Sequence, residues 1–82
     1  MRTDMDRQSV QNTVVKVLSA ILKCETDIDT SRENTPQWDS LKHIEIIFAV
    51  EDELEIEFSQ QEMVGLDSVA KIVSAAVNQH AA

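Results

Sequence analysis

The chain has 82 residues and a formal net charge of −8, from seven basic and fifteen acidic side chains. This length suits one domain with a modest core, and one Gly and one Pro are too few for the turns of a sandwich or barrel. The acidity disfavours phosphate backbones and anionic membranes, so we expect no nucleic-acid partner, no membrane insertion, and partners that carry basic patches. We therefore expect one monomeric, largely helical domain over residues 1–82, with its core at about 7–79.

Cysteine content and hydropathy indicate a cytoplasmic protein. Cys24 is the single cysteine, which leaves no internal disulfide and no cysteine-based metal site, and we expect no bound metal. Residues 1–10 are polar and lack the apolar core of a secretory signal. The longest uninterrupted apolar run covers residues 46–50, which is far too short to span a bilayer.

The first third of the chain contains one helix and one long loop. Apolar residues recur at spacings of four, four and three: Val10, Val14, Leu18 and Ile21. This period predicts a helix over about residues 7–23. Turn and capping residues then replace the pattern over residues 24–39. Since this connection is long for a link between helices, we predict an ordered loop that Ile28 and Trp38 anchor.

A second helix is predicted to begin at Asp39 or Ser40, since either residue can cap it. Its apolar face is predicted from residues at helical spacing: Leu41, Ile44, Ile47, Phe48 and Leu54. Beyond this helix, Ile56 and Phe58 alternate with polar residues. No partner strand is evident, so we predict an extended segment that directs both side chains inward.

The end of the chain predicts one short helix and one closing helix. The short helix covers residues 60–64 and is predicted to end at Gly65, the residue that most readily takes a positive φ. Asp67 or Ser68 can cap the last helix, whose apolar positions recur at three-and-four spacing: Val69, Ile72, Val73, Ala76 and Val77. The predicted fold is an all-α bundle of three main helices and one short helix.

Ser40 has the most chemical interest, because it places a hydroxyl at the start of a helix directly after a polar loop. Helix N-termini present unpaired backbone N–H groups and the positive end of the helix dipole, which favour a bound or attached phosphate. The same position also suits a serine that only caps the helix. Taken alone, Ser40 does not distinguish an attachment site from a cap.

The sequence from Asp39 to Leu54, with the order of the elements around it, resembles the acyl carrier proteins over about residues 7–79. In that family the serine of an Asp-Ser-Leu segment carries 4′-phosphopantetheine from coenzyme A. The resemblance implies that a phosphopantetheinyl transferase attaches this arm to Ser40. It further implies a carrier that is not an enzyme and that presents acyl thioesters to enzymes of a specialised lipid, polyketide or related pathway.

The resemblance also implies a partner-binding surface on the acidic second helix. Its predicted residues are Asp39, Leu41, Lys42, Glu45, Glu51 and Glu53. The acyl chain is expected to be sheltered among Leu41, Ile44, Phe48, Val69 and Ile72.

The protein departs from the family's pattern at Gln37, Trp38, Lys42 and His43. These departures favour a specialised pathway over ordinary fatty-acid synthesis, and we expect His43 to lie on the surface and tune partner contacts.

Two other functions stay open from the sequence. The same arm serves aminoacyl and peptidyl carriers of the nonribosomal-peptide type, and the cargo lies mainly in the partner enzymes. Alternatively, the chain is an unmodified helical module whose acidic face binds a basic protein.

A rival serine, Ser68 after Gly65 and Asp67, fits a bare Gly-x-Asp-Ser pattern better than Ser40 does. No acidic helix follows Ser68, so we predict that it only caps the last helix.

Two weaker patterns predict no chemistry. Asp39, Ser40 and His43 contain the side chains of a hydrolase triad, but the sequence offers no glycine-rich elbow and no evident oxyanion hole. The acidic residues of the long loop faintly resemble a calcium loop: Asp27, Asp29 and Glu33. That loop lacks the central glycine and the remaining ligands, so we predict that these side chains are solvated.

Overall fold

The structure, a computed structural model, describes the backbone of residues 7–81 and the side chains of residues 7–79. Four helices follow one another in this part of the chain: α1 (Arg7–Leu22), α2 (Ser40–Leu54), α3 (Gln60–Gly65) and α4 (Val69–Ala81). The predicted all-α fold of three main helices and one short helix is confirmed. Residues 1–6 and 82, which the predicted domain includes, lie outside the described residues. Within residues 7–81, none of the helices is long and apolar enough to cross a membrane.

α1 forms because apolar residues return every four positions along one side. Its buried residues are Val10, Val14, Leu18 and Leu22. Ile21, which the predicted stripe included, is only partly buried and packs at the edge of the core. The helix ends after Leu22 because Lys23 adopts a left-handed conformation with φ 58°. The Lys23 N–H still donates to the Ser19 carbonyl at 2.9 Å, which closes the last turn.

The core lies where α1 packs against both α2 and α4. Side chains from all three helices are almost completely buried there: Leu18, Ile46, Ile47, Val50, Val69, Ile72 and Val73. Burying one such side chain contributes about 1.5–3 kcal/mol. The predicted apolar positions of α4 are confirmed, with Val77 partly buried at the margin.

The buried face of α2 differs from the predicted one. Leu41, Ile44 and Phe48 are 75%, 49% and 56% exposed. Ile47 and Leu54 are buried as predicted, and they share the buried face with His43, Ile46 and Val50. Apolar residues lie on most sides of α2, so helical periodicity fits two different stripes. The buried stripe contains the polar His43. The stripe with Leu41, Ile44 and Phe48 is therefore the more apolar of the two in the sequence, although it is exposed.

The loop between α1 and α2 is ordered, as predicted. Trp38 is buried at 2% exposure, and Ile28 packs against the core. At the start of the loop, the Thr26 hydroxyl donates to the Val15 carbonyl of α1 at 3.0 Å.

The same loop is also joined to the beginning of α4. Ser31 and Ser68 form an isolated antiparallel bridge. The Arg32 N–H donates to the Asp67 carbonyl at 2.8 Å, and the Val69 N–H donates to the Thr30 carbonyl at 3.0 Å. These bonds place the middle of the long loop beside the start of the last helix.

The segment between α2 and α3 is neither helix nor strand, and it buries Ile56 and Phe58 as predicted. Glu55 ends α2 in a left-handed conformation with φ 56°. The Phe58 N–H then donates to the Glu51 carboxylate at 2.8 Å, so a side chain of α2 fixes the path of the segment.

The two ends of α3 are formed in different ways. Ser59 caps the start: its hydroxyl accepts from the Glu62 N–H, and the Glu62 carboxylate accepts from the Ser59 N–H. α3 ends at Gly65, as predicted, but the expected positive φ was wrong, because Gly65 is still helical and has no positive φ. Non-glycine residues, Lys23 and Glu55, take the left-handed conformation at the ends of α1 and α2.

Candidate functional site

Asp39 caps α2 and leaves Ser40 at the first helical position. Asp39 is extended, and its Oδ1 accepts from the Lys42 N–H at 2.9 Å. Its carbonyl accepts from the His43 N–H at 2.8 Å. Ser40 is exposed, and its hydroxyl is not needed to cap the helix. The side chain therefore projects at the positive end of α2 with its oxygen accessible.

A guanidinium lies beside this hydroxyl. Arg32 Nη2 donates to Ser40 Oγ at 2.9 Å, across eight residues of the chain. Sequence pattern does not predict Arg32 at this site, because the loop has no period that would bring it to the start of α2. One signal could have found it: Arg32 is the only basic residue between Lys23 and Lys42.

Trp38 and His43 form a buried pair under the start of α2. Trp38 Nε1 donates to His43 Nδ1 at 2.9 Å, and the two rings stack with centroids 6.0 Å apart. His43 Nε2 lies 2.7 Å from the Met63 carbonyl, which can only accept, so Nε2 carries the proton. The pair thereby connects the residue before the cap, the first turn of α2 and α3.

The prediction that His43 lies on the surface was wrong, since it is 8% exposed. Both of its ring nitrogens are hydrogen-bonded, so its burial leaves no polar atom unsatisfied. Because both nitrogens are occupied by Trp38 and Met63, the structure does not assemble Asp39, Ser40 and His43 as a triad.

The exposed face of α2 next to Ser40 combines apolar and acidic side chains. Leu41, Ile44 and Phe48 follow one another at helical spacing and are all exposed. Glu45 and Asp52 fall on the same side of α2 by the helical period. We call these five residues the α2 outer face. Asp52 was not among the predicted partner residues, although its position relative to Leu41 is visible in the sequence.

The six predicted partner residues do not share one surface. Asp39 and Leu41 adjoin Ser40, and Lys42 contacts Glu45, with Nζ 3.7 Å from Oε1. The Glu51 carboxylate is occupied by the Phe58 N–H. Glu53 lies beside a groove that α1 residues line on the other side of α2: Thr13, Lys16, Val17 and Ala20.

The predicted shelter for an acyl chain is not a single cavity. Val69 and Ile72 are fully buried in the core, whereas Leu41 and Phe48 are exposed. An open groove of about 430 Å³ lies between α3 and α4, and its lining includes none of the residues predicted for the shelter. In this structure the apolar side chains near Ser40 therefore form a surface.

The second Asp-Ser pair differs in detail. Ser68 Oγ accepts from the Lys71 N–H at 3.2 Å, so the predicted capping role of Ser68 is confirmed. Asp67 Oδ1 lies 3.0 Å from Lys71 Nζ. The hydrogen bond from Lys71 lowers the pKa of the Asp67 carboxyl below its ordinary value.

The acidic residues of the loop form a turn. Asp27 Oδ1 accepts from the Asp29 N–H at 2.9 Å, which is the hydrogen bond of an Asx turn. In the described part of the chain, no group of three His, Cys, Asp or Glu side chains could hold a metal ion. Cys24 is partly buried against the core.

Comparison with known proteins does not assign a family. No model of a protein family matches this chain. No curated protein matches its sequence significantly. The resemblance to acyl carrier proteins rests on the residues from Asp39 to Leu54 and on the order of the elements.

Proposed function

We propose that this chain is an acyl carrier protein that bears 4′-phosphopantetheine on Ser40. The observation that carries the proposal is the position of the Ser40 hydroxyl. It is exposed at the first residue of α2, and Asp39 performs the capping that would otherwise occupy it. A modifying enzyme can therefore reach the oxygen without unfolding the start of the helix.

The surroundings of Ser40 fit a phosphodiester. The positive end of the α2 dipole lies at this residue, and negative groups are favoured there. The Arg32 guanidinium already contacts the oxygen that would carry the phosphate. A cation and a helix N-terminus thus meet at the proposed point of attachment.

The role of the chain in the attachment reaction is that of a nucleophile. Ser40 Oγ attacks the phosphorus of coenzyme A that bears the pantetheine group, and a new P–O bond forms. The P–O bond to the nucleotide breaks, and adenosine 3′,5′-bisphosphate leaves with its electron pair. The hydroxyl proton passes to a base on the transferase. Once attached, the arm supplies a terminal thiol that holds an acyl group as a thioester.

The α2 outer face is the surface that we propose for partner enzymes. It places Leu41 and Phe48 beside Glu45 and Asp52, an apolar strip with acidic side chains along it. Between Asp39 and Glu55 the chain has six acidic residues and one lysine. A partner with a basic rim around an apolar patch complements this surface, since charge steers the encounter and apolar contact holds the complex. The partners that we propose are the transferase and the acyl-loading and acyl-transferring enzymes of a specialised pathway.

Intact-mass analysis after incubation with a promiscuous phosphopantetheinyl transferase and coenzyme A tests the proposal. Wild-type protein should gain the mass of one arm, and Ser40→Ala should gain none. Ser68→Ala is the matched control, because it removes the other serine of an Asp-Ser pair, and it should gain one arm.

Two results would overturn the proposal: no gain by the wild type, or an unchanged gain by Ser40→Ala. An unmodified interaction module predicts the first result together with full activity of Ser40→Ala in the native pathway. Loading assays that compare fatty acids with amino acids then separate an acyl carrier from an aminoacyl or peptidyl carrier.

A further inference from the structure

We infer that Arg32 positions the phosphate of the arm on Ser40, an inference that rests on the proposed function. Arg32 is therefore a positioning residue: it holds the root of the arm at a fixed place between the long loop and the start of α2. Four features of the structure support this role: the geometry of the guanidinium, the absence of a nearby carboxylate among the described residues, the charge around Ser40, and the anchoring of the Arg32 backbone.

The Arg32 guanidinium has more N–H donors than its hydrogen bond to Ser40 uses, and it lies where a phosphate on Ser40 would be. One N–H of Arg32 is occupied by Ser40 Oγ at 2.9 Å. Among the described residues, no carboxylate lies within 4.0 Å of this guanidinium. Arginine presents five N–H donors in a planar fork that matches two oxygens of a phosphate. When Ser40 Oγ becomes an ester oxygen, the non-bridging oxygens bonded to the same phosphorus lie within reach of this fork.

The local charge creates a need for such a cation. A phosphodiester on Ser40 adds a negative charge directly beside the Asp39 carboxylate. Lys42, the nearest other cation in sequence, has its ammonium 3.7 Å from the Glu45 carboxylate. Arg32 is thus the cation available to offset the repulsion between the phosphate and Asp39.

The backbone of Arg32 is held by the residues directly before α4. Its N–H donates to the Asp67 carbonyl at 2.8 Å, next to the bridge between Ser31 and Ser68. A phosphate on Ser40 that pairs with Arg32 therefore links α2 to the part of the loop that is attached to α4. Since that link exists only in the folded chain, attaching the arm should stabilise the fold through Arg32.

A cycle of four proteins measures this coupling: wild type and Arg32→Gln, each without and with the arm. Urea unfolding should show that Arg32→Gln lowers the folded-to-unfolded ratio about threefold more in the modified protein than in the unmodified one. Arg32→Lys should fall between the two, since it keeps the charge but loses the fork. The ³¹P resonance of the arm should shift in Arg32→Gln and shift less in Arg32→Lys. Lys16→Gln, which removes an exposed cation from α1, should cost the same with and without the arm.

The outcomes separate this inference from the proposed function. If the wild type accepts no arm, both are overturned. If the wild type accepts the arm and Arg32→Gln costs the same in both forms with an unchanged ³¹P resonance, Arg32 only bonds the free hydroxyl, and the inference alone is overturned. A larger cost in the modified form, with a shifted resonance, supports it.

Discussion

Two Asp-Ser pairs begin two helices of this molecule, and the two pairs exchange their roles. At α2 the aspartate caps the helix, and Ser40 is the first helical residue with an exposed hydroxyl. At α4 the serine caps the helix, and Asp67 pairs with Lys71 one turn later. α2 therefore begins at the serine of its pair, Ser40, whereas α4 begins at Val69, the residue after its serine. The dipeptide alone does not decide which serine hydroxyl is left free of capping; the position of the serine relative to the cap does.

The surroundings of each pair explain the difference. Before α2, the buried Trp38 fixes the chain directly ahead of Asp39, and its bond to His43 fixes the first turn. Before α4, the chain on both sides of Ser68 is bonded to the loop, at Asp67 O and Val69 N. Ser68 is therefore held in the bridge between them, where its hydroxyl faces the first turn. Tertiary contacts, and not the local sequence, select which residue of each pair becomes the cap.

The largest expected effect on stability comes from breaking the contact that fixes the start of α2. Trp38→Phe removes the indole N–H and leaves His43 Nδ1 buried without a donor, which should cost about 1–3 kcal/mol of unfolding free energy. Urea unfolding measures this cost. In a His43→Leu background the same substitution should cost less, because no acceptor is then left unsatisfied. Equal costs in the two backgrounds would show that lost ring volume, and not the hydrogen bond, is responsible.

Smaller changes in the free energy of unfolding should show directly that the two Asp-Ser pairs exchange their roles. Asp39→Ala and Ser68→Ala each remove a cap and should each cost about 1 kcal/mol. Ser40→Ala should cost less than about 0.5 kcal/mol, because Ser40 caps nothing and its bond to Arg32 is exposed. Thermal and urea unfolding of the unmodified variants compare the three. A Ser40→Ala cost as large as that of Asp39→Ala would place the cap on Ser40 and remove the contrast between the pairs.

The smallest expected effect on the free energy of unfolding concerns Asp67, the aspartate that does not cap a helix. The hydrogen bond from Lys71 lowers the pKa of Asp67, so the folded state favours the carboxylate. The resulting stability is present above the ordinary pKa of aspartate and is lost as the pH falls through the lowered value. Lys71→Gln should therefore cost about 0.3 kcal/mol at neutral pH, a magnitude usual for exposed pairs. The difference from wild type should close in acid; a difference that persists there would indicate a role of Lys71 in packing.

Local patterns predicted most of the fold. The four-residue spacing from Val10 to Leu18 placed α1 correctly to within one residue, and the alternation of Ile56 and Phe58 predicted that both side chains are buried. The buried face of α2 could not be predicted, because apolar residues surround that helix and two stripes fit its period. The burial of His43 depends on Trp38 and Met63, which meet it only in the folded chain.

The sequence predicted the position of Ser40 at the start of α2 but not the residues that surround it. Ser40 follows from the helix start and the Asp-Ser-Leu segment. The choice of Asp39 over Ser40 as cap depends on backbone geometry that the sequence leaves open, since both residues are good caps. The contact between Arg32 and Ser40 requires the path of an aperiodic loop, which is fixed by backbone hydrogen bonds to Asp67 and Val69. Sequence pattern carries no information about such a path.

A peptide map of the modified wild-type protein shows directly which serine carries the arm. Trypsin cleaves after Lys and Arg, so it separates the two Asp-Ser pairs into residues 33–42 and residues 43–71. We expect the mass of the arm on the peptide of residues 33–42, with fragmentation placing it on Ser40. If the arm lies on the peptide of residues 43–71, or on neither peptide, Ser40 is not the attachment site.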